Sequence, residues 1–218
     1  MVLGSTFSLP VAQAIRERRT VRHFLPRLIE PVILHELLEL TLEAPSSWNL
    51  QDRLIVVVQS KAGLAALTEA SGGQPQPQEC PVMLVFLADL AAHKRDRSEI
   101  WQAARTAQAW SEEFITFFAA KSQEFQEQLE ANGRLREYAI KDAIIAASFC
   151  MLAAQSYGLA TSPMNGWEES AVKRAIGAGD REDLAGALLL AIGYPAEARR
   201  HPGRLPMVRG VFQEKVAC

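Results

Sequence analysis

The sequence has few of the residues that build disulfide frameworks or metal sites. Its three cysteines, Cys80, Cys150 and Cys218, are far apart and odd in number, which argues against a secreted disulfide scaffold and favours a reducing, cytoplasmic compartment. The four histidines are equally dispersed and lack the spacing of metal ligands. We therefore predict a cytoplasmic protein without a metal.

An excess of one charge and a long apolar segment are also missing. Lys and Arg number 23 against 25 Asp and Glu, so the net charge of −2 gives no field that would favour nucleic acid or an anionic membrane. Residues 1–10 do not have the pattern of a signal peptide. The most apolar segment, residues 139–154, is shorter than a membrane span and includes Lys141 and Asp142. Neither nucleic acid nor a membrane is an expected partner.

The chain does contain what one folded domain needs. Of its 218 residues, 49% are hydrophobic, and no repeat or linker divides them, so residues 1–218 are predicted to form a single domain. The segment 53–59 is uniformly apolar, which predicts a strand buried on both faces, and 71–78 is predicted to be a polar loop. Further strands are predicted at 81–88, 159–164 and 186–193, and helices at 10–19, 31–42, 61–70, 98–131, 134–157 and 167–176.

A basic cluster follows the first predicted helix. Arg16, Arg18, Arg19 and Arg22, with Thr20 among them, place guanidinium groups and a hydroxyl within one turn-sized stretch. This combination can hold a phosphate monoester through charge-assisted hydrogen bonds. The alternative is a solvated helix end whose cations complement the negative end of the helix dipole.

A short polar segment joins the second predicted helix to the first predicted strand. Pro45 ends the helix, and the hydroxyls of Ser46 and Ser47 and the amides of Asn49 and Gln51 follow it. These groups offer hydrogen bonds rather than a nucleophile, and they suit a flat ligand with polar edges, such as a flavin ring. An ordinary connecting turn is the alternative, because Ser and Asn are favoured in turns.

Two helical regions are unusually apolar. The region at 98–131 has aromatic residues at offsets of three, four and seven, so one of its faces is aromatic. Such a stripe is usually core, or else it covers a cofactor and forms an apolar substrate pocket. The segment 143–154 is apolar almost all round, which predicts burial on every side and a face toward another subunit. The aromatic stripe consists of Trp101, Trp110, Phe114, Phe117, Phe118 and Phe125.

Four local patterns occur in a recognisable order along the chain. They are Arg-Arg-Thr-Val-Arg at 18–22, Ala-Pro-Ser-Ser-Trp-Asn-Leu-Gln at 44–51, Pro-Met-Asn-Gly-Trp at 163–167, and Ala-Ile-Gly-Tyr-Pro at 191–195 followed by Arg-Leu-Pro at 204–206. In this order and at these spacings, the chain resembles the nitroreductase family of FMN-dependent NAD(P)H oxidoreductases. The resemblance covers nearly the whole chain.

The resemblance implies an α+β fold in which helices flank a central mixed sheet. It also implies an intertwined homodimer with two FMN sites at the interface, in which residues 197–218 extend onto the partner subunit. NADPH or NADH would deliver hydride to flavin N5, and a nitroaromatic or quinone would then accept the electrons in a ping-pong cycle. No side chain need act as nucleophile or base, because the flavin carries the chemistry.

The site residues follow from the same resemblance, position by position. The phosphate and ribityl chain of FMN would be held by Arg18, Arg19, Thr20 and Arg204, and Arg22 would lie near flavin N1 and the C2 carbonyl. Gln76 would meet the ring edge, the segment Pro163, Met164, Asn165 and Gly166 would face N5 and O4, and the partner subunit would contribute Pro45, Ser46, Ser47, Asn49 and Gln51. From the aromatic stripe, we assign Trp110, Phe114, Phe117 and Phe118 to the wall of the acceptor pocket.

Four positions depart from the family pattern. Gly73 and Gln76 stand where family members often have Asn and Lys, Arg53 stands where an aromatic is common, and Asn165 replaces a common Glu. Gln76 cannot neutralise a reduced flavin, which leaves that task to Arg22. Two alternatives stay open: a flavin-binding or flavin-handling protein without nicotinamide turnover, and a structural dimer with a degenerate site.

Overall fold

The computed structural model describes residues 9–216. In this range the chain forms four β-strands and eight α-helices. In chain order they are α1 (Val11–Glu17), α2 (Pro31–Leu42), β1 (Arg53–Val58), α3 (Lys61–Ala70), α4 (Gln76–Glu79), β2 (Val82–Asp89), α5 (Ser98–Thr106), α6 (Glu112–Ala131), α7 (Leu135–Ser156), β3 (Ala160–Met164), α8 (Glu169–Ala175) and β4 (Leu184–Gly193).

The four strands form one sheet in the order β1-β2-β4-β3, and all three neighbouring pairs are antiparallel. α3 and α4 connect β1 to β2, so that β2 begins at the end of the sheet where β1 stops. α8 makes the same kind of connection between β3 and β4. The α+β class and the flanking helices are therefore confirmed, but the sheet of these strands is not mixed as predicted. Within residues 9–216, a parallel pairing occurs only as an isolated bridge between Thr20 and Thr161, beside β3.

Side chains of the two central strands alternate between two apolar cores. In β2, Leu84 and Phe86 face α2 and α7, whereas Met83 and Val85 face α3 and α8. Helices thus cover both faces of the sheet. As a result, β2 and β4 are buried at every position and have continuous apolar sequences rather than an alternating pattern.

β1 lies at the edge of the sheet and is less buried than its sequence suggests. Its side chains Leu54 and Val57 are 39% and 36% exposed. The prediction of a strand buried on both faces at 53–59 is therefore wrong. An apolar run indicates a strand that is at least partly buried, but it does not distinguish an edge strand from a central one.

Two other predicted elements also differ from the structure. The helix predicted at 98–131 is two helices, because the chain turns between α5 and α6 through Gln108, whose φ angle of 52° is left-handed. The loop predicted at 71–78 contains the start of α4 at Gln76, and Pro77 is accommodated in its first turn.

α7 is the longest helix of the described chain, and it packs against β2, β4 and α2. Its small residues Ala143, Ala146 and Ala147 are fully buried, which lets the helix approach the sheet closely. It is also long and apolar enough to span a bilayer by length and composition, but here its apolar side joins the core. Burial is not complete on every side, since Ile145 and Phe149 are 38% and 42% exposed. The helix therefore keeps an apolar outer side.

Candidate functional site

The basic residues predicted to bind a phosphate line one cavity of about 340 Å³, which we call the arginine cavity. The residues that follow α1 and the segment after β4 form it. A bridge between Phe24 and Pro195 and a hydrogen bond from the Arg22 N–H to Glu197 Oε1 (3.1 Å) join the two segments. The lining residues are Arg18, Arg19, Thr20, Arg22, Arg199, Arg200, Pro202 and Arg204.

Most charges of the arginine cavity are uncompensated. Of its six arginines, only Arg199 has a carboxylate partner within residues 9–216, Glu197 at 2.7 Å. Burial, and then the charges of Arg204 and Arg19, lower the pKa of Arg18. The buried atoms Arg18 Nη1 and Arg19 Nε have no hydrogen-bond partner in the same range. Crowded cations with open, fork-shaped donors fit an anion such as a phosphate.

β3 lies against the arginine cavity. Thr20 bridges Thr161, and the Val21 N–H donates to the Thr161 carbonyl (3.2 Å). The hydroxyls of Thr161 and Ser162 are buried and lack a hydrogen bond to any described residue, and Pro163, the next residue, is half-buried. An open hydroxyl on the residue that pairs with Thr20 is suited to a ligand with polar groups beyond its phosphate.

The turn after β3 offers backbone rather than side-chain groups. Met164 packs into the core, and its carbonyl accepts a hydrogen bond from Trp167 Nε1 (2.8 Å). The Gly166 carbonyl is also occupied, by Gln74 Nε2 at 2.7 Å. Asn165 and Gly166 themselves are exposed. Of the third motif, the amide N–H groups of these two residues are the ones best placed to meet a ligand.

Gln76, predicted at the ring edge, is the first residue of α4 and is only 4% exposed. Its Oε1 has no hydrogen-bond partner in the described part of the chain. Buried polar atoms are normally satisfied, so an open amide oxygen is a feature that a bound ligand would explain. Because this oxygen is also buried within the chain, the ligand contact of Gln76 stays a prediction.

The loop between α2 and β1 is strained and is held by hydrogen bonds. Trp48, Asn49 and Gln51 have left-handed φ angles of 54°, 47° and 52°, which are uncommon outside glycine. Ser47 donates from its N–H and from Oγ to the Asp142 carboxylate of α7, at 2.9 and 3.2 Å. Strained backbone of this kind concentrates at ligand sites, so the loop geometry agrees with a binding role.

The predicted residues of this loop divide into two groups. Ser46 uses its hydroxyl within the loop, accepting from the Gln51 N–H at 3.0 Å, and Pro45 is exposed directly after α2. The side chains of Asn49 and Gln51 are exposed and make no hydrogen bond to the described residues. Asn49 and Gln51 are therefore free to reach a ligand, whereas Ser46 and Ser47 shape the loop.

Three of the four residues predicted for the acceptor pocket pack together. Trp110, Phe114 and Phe118 have ring centroids 4.9 to 5.4 Å apart. Phe118 also contacts Trp48 of the loop at 4.9 Å. Phe117 does not join them, because it is 57% exposed and lines a separate cavity of about 300 Å³ with Trp48. The aromatic stripe is thus a partly exposed cluster beside the loop rather than a core.

Within one chain, the loop and the arginine cavity lie apart. The loop is bound to α7 at Asp142, whereas α1, which leads into the cavity, lies beside the C-terminal half of α7, where Ala14 and Ala153 line one groove. Positions 142 and 153 are roughly 16 Å apart along the helix. No loop residue lines the arginine cavity. The structure therefore assembles two halves of the predicted site without joining them.

Several residues of these two halves were not predicted. Arg199 and Arg200 join the arginine cavity, and their signal was the pair of arginines shortly before Arg204. Trp48 connects the loop to the aromatic cluster. Asp142 has no local signal, because its contact with the loop spans 95 positions in the sequence.

The comparisons with known proteins agree with this architecture. The family model described as the nitroreductase family matches residues 15–194. A protein of Thermus thermophilus named NADH dehydrogenase is 33% identical, over 94% of this chain and 98% of its own length. A protein of Bacillus subtilis, named as a candidate NAD(P)H nitroreductase, is 27% identical over 86% of this chain and 90% of its own.

Solved structures share the fold. A protein of Exiguobacterium sibiricum, crystallised in complex with FMN, superposes with a TM-score of 0.87 at 23% identity and covers 96% of this chain and 100% of its own. A helix-flanked sheet with a cation-lined cavity at one edge strand and a strained amide loop is an architecture that can accommodate a flat, phosphorylated ligand. The chain belongs to the nitroreductase family, as its four motifs predicted.

Proposed function

We propose that the chain is an FMN-dependent NAD(P)H oxidoreductase that reduces quinone or nitroaromatic acceptors by a ping-pong cycle. The observation that carries this proposal is the arginine cavity, with open guanidinium donors beside the edge strand that holds the third motif. The predicted enzyme class and cofactor agree with the family and with the names of the relatives. The buried free thiols of Cys80 and Cys150 support a cytoplasmic location.

The residues present fit FMN. Arg18, Arg19 and Arg204 would hold its phosphate, each charge-assisted hydrogen bond contributing about 1.5 to 3 kcal/mol, and the open groups of Thr161 and Gln76 would meet the polar remainder of the ligand. Bound FMN would supply the chemistry of hydride transfer from NAD(P)H and of electron transfer to the acceptor. Held in place, the ring would receive hydrogen bonds from the exposed turn after β3.

The geometry leaves the role of Arg22 open. Arg22 lines the same cavity as the phosphate arginines, so its role near flavin N1 and the C2 carbonyl stays a prediction. If Arg22 does reach the ring, it is the cation that favours the reduced form, because Gln76 is neutral. The flavin-handling alternative rests on that neutral Gln76, and it would apply if the bound flavin were not reduced by a nicotinamide.

We propose that the complete site forms between the two subunits of an intertwined homodimer of single-domain chains. The separation of the loop from the arginine cavity supports this arrangement, since the loop would serve the partner's FMN. Exposed apolar surface supports it as well. The tail after residue 204 exposes Leu205, Met207, Val208, Val211, Phe212 and Val216 by 43 to 78%.

The test is an anaerobic absorbance titration of the FMN-loaded protein with NADPH and then NADH. Rapid bleaching of the oxidised flavin, followed by recovery of colour on adding a quinone, is the expected result, and the faster donor identifies the preferred nicotinamide. A flavin that stays oxidised with both donors would favour flavin handling. If the protein bound no FMN under any condition, the remaining alternative would be a structural dimer with a degenerate site.

A separate measurement tests the acceptor pocket. Replacing Phe114 and Phe118 by Ala removes two rings of the aromatic cluster, so we expect KM for a quinone acceptor to rise by about tenfold or more, while the rate of flavin reduction by the nicotinamide changes little. An unchanged acceptor KM would show that the cluster does not line the pocket.

A further inference from the structure

A buried carboxylate on α7 binds the loop between α2 and β1 through hydrogen bonds. Asp142 is 2% exposed, and its two oxygens accept separately from the Ser47 N–H and the Ser47 hydroxyl. Tyr138, one helical turn earlier on α7, lies near Ser47 and Trp48, and burial raises the pKa of its hydroxyl. Asp142 of α7 therefore holds the first half of the loop at Ser47.

A buried cation binds the start of the loop, where it follows α2. Arg53 is 5% exposed, and its Nη2 donates to the carbonyls of Leu42, at the end of α2, and of Ala44, at 3.0 Å. One guanidinium group thus satisfies a carbonyl group at the C-terminus of α2 and holds the backbone of Ala44, the residue before Pro45. At this position the resemblance predicted an aromatic side chain, so the cation is a feature of this chain.

The two charged groups are near enough to influence each other. Asp142 and Asp52 act on Arg53 electrostatically, although none of the ion pairs within residues 9–216 includes any of these three side chains. The left-handed residues Trp48 and Asn49 directly follow Ser47, on the side of the loop that leads to Arg53. Left-handed backbone in residues other than glycine persists only where its surroundings hold it.

We propose that Arg53 and Asp142 are positioning residues: they clamp the loop so that Asn49 and Gln51 project toward the flavin and Trp48 toward the aromatic cluster. This inference rests on the proposed function. Neither residue need touch the ligand, because each acts through the backbone of the loop. The clamp also connects the proposed flavin site with the predicted acceptor pocket, because the rings of Trp48 and Phe118 pack with their centroids 4.9 Å apart.

Three variants test the clamp on the full-length apoprotein. Asp142→Leu fills the volume but removes both acceptors, and Arg53→Met removes the forked donor. We expect each to weaken FMN binding by about tenfold, measured by flavin fluorescence, and to change the visible circular dichroism of bound flavin. Asp142→Asn can still accept from the Ser47 N–H and donate to its hydroxyl, so it should bind within about threefold of the unmodified protein.

Two controls separate the clamp from general damage. Ser148→Ala removes a hydrogen bond on the same helix, Ser148 Oγ to the Ile144 carbonyl at 2.9 Å, and should leave FMN binding unchanged. Inorganic phosphate should raise the melting temperature of every variant as it does for the unmodified protein, because the arginine cavity lies apart from the loop.

The outcomes are distinguishable from failure of the proposed function. If the unmodified apoprotein does not bind FMN, the proposed function is wrong. If it does, and either Asp142→Leu or Arg53→Met binds FMN with unchanged affinity and spectrum, the clamp is wrong. Should one of these variants fail to fold, the other decides, and a tenfold loss in Asp142→Asn would show that charge rather than positioning matters.

Discussion

At the scale of single residues, Asp52 is the carboxyl group with the least favourable surroundings. It is 4% exposed, and its Oδ1 has no hydrogen-bond partner in the described chain. Burial first, and then the charge of Asp142, raise the pKa of Asp52 from 3.8 to about 7. The folded chain therefore holds a proton at Asp52 in a range of pH where the unfolded chain has already released it.

This pKa predicts how stability depends on pH. Between pH 4 and pH 7 the folded state binds more protons than the unfolded state, so the free energy of unfolding falls as pH rises and levels off above pH 7. A shift of about three pH units corresponds to at most about 4 kcal/mol. Asp52→Asn should remove this decrease in the free energy of unfolding. The difference in that free energy between the variant and the unmodified protein should therefore favour the variant more at pH 8 than at pH 5.

Urea unfolding at both pH values measures the effect of Asp52→Asn. The exposed Asp180, replaced by Asn, is the control and should show no comparable difference. If the Asp52 variant gained the same stability at pH 5 and pH 8, the folded protein would not be holding a proton at this carboxyl group.

The arginines of the cavity should not contribute equally to ligand binding. Arg18 is uncompensated, whereas Arg199 already pairs with Glu197 at 2.7 Å. Arg18→Ala should raise the Kd for FMN by about 10-fold to 150-fold, the equivalent of 1.5 to 3 kcal/mol, and Arg199→Ala by less than about fivefold. Isothermal titration of apoprotein with FMN measures both, with exposed Arg174→Ala as control. Equal losses for Arg18 and Arg199 would contradict this ranking.

At the scale of secondary-structure elements, two helices with a local start signal were predicted with the observed bounds, whereas the helix predicted at 10–19 spans Val11–Glu17. α2 begins at Pro31 and α3 follows Ser60, which accepts from the Gly63 N–H at 3.2 Å, and both helices have the predicted bounds. The start of α6 had a comparable signal that was not used: Ser111 caps it, accepting from the Phe114 N–H at 3.2 Å. The aromatic periodicity continued across that cap, so two helices were predicted as one.

Other features at this scale have no local signal. Whether β1 is an edge or a central strand depends on which strands pair, and the apolar sequence is the same for both. The antiparallel sheet likewise depends on how α3, α4 and α8 return the chain. The four motifs identified the family correctly because each is a short segment with its own characteristic residue types.

The junction of β4 with the turn after β3 gives a prediction at this scale. A side chain at Gly186, where β4 shifts its register with β2, would lie 2.7 Å from the Trp167 ring. That ring also fixes the turn through its bond to the Met164 carbonyl. Gly186→Ala should therefore displace Trp167 and lower the free energy of unfolding by about 1 to 3 kcal/mol.

Urea unfolding and FMN titration measure the effect of Gly186→Ala. Weaker FMN binding should accompany the loss of stability, since Asn165 and Gly166 lie in the displaced turn. Gly210→Ala is the matched control, because a side chain there meets no atom within 4 Å. If the Gly186 variant were as stable as the unmodified protein, the packing of Trp167 against β4 would not hold the turn.

At the scale of the whole molecule, the two halves of the site come from segments that one chain keeps apart. Sequence patterns grouped the predicted members of each half, but they did not show how the halves meet, which in the proposed homodimer depends on a second subunit. α1, α2 and α7 also form a groove of about 680 Å³, lined mainly by apolar residues such as Val11 and Phe149. In the proposed homodimer, a second subunit covers exposed apolar surface and brings each loop to the partner's arginine cavity.

A mixed dimer tests that arrangement directly. One subunit carries Arg18→Ala with Arg204→Ala, the other carries Asn49→Ala with Gln51→Ala, and two affinity tags isolate the heterodimer. If each site combines the arginines of one subunit with the loop of the other, one site contains all four defects and the second contains none. The heterodimer should then bind one FMN per dimer with unmodified affinity, although both variant homodimers bind FMN weakly. If loop and arginines of the same chain served one site, both sites of the heterodimer would be defective, and no tight FMN site would be found.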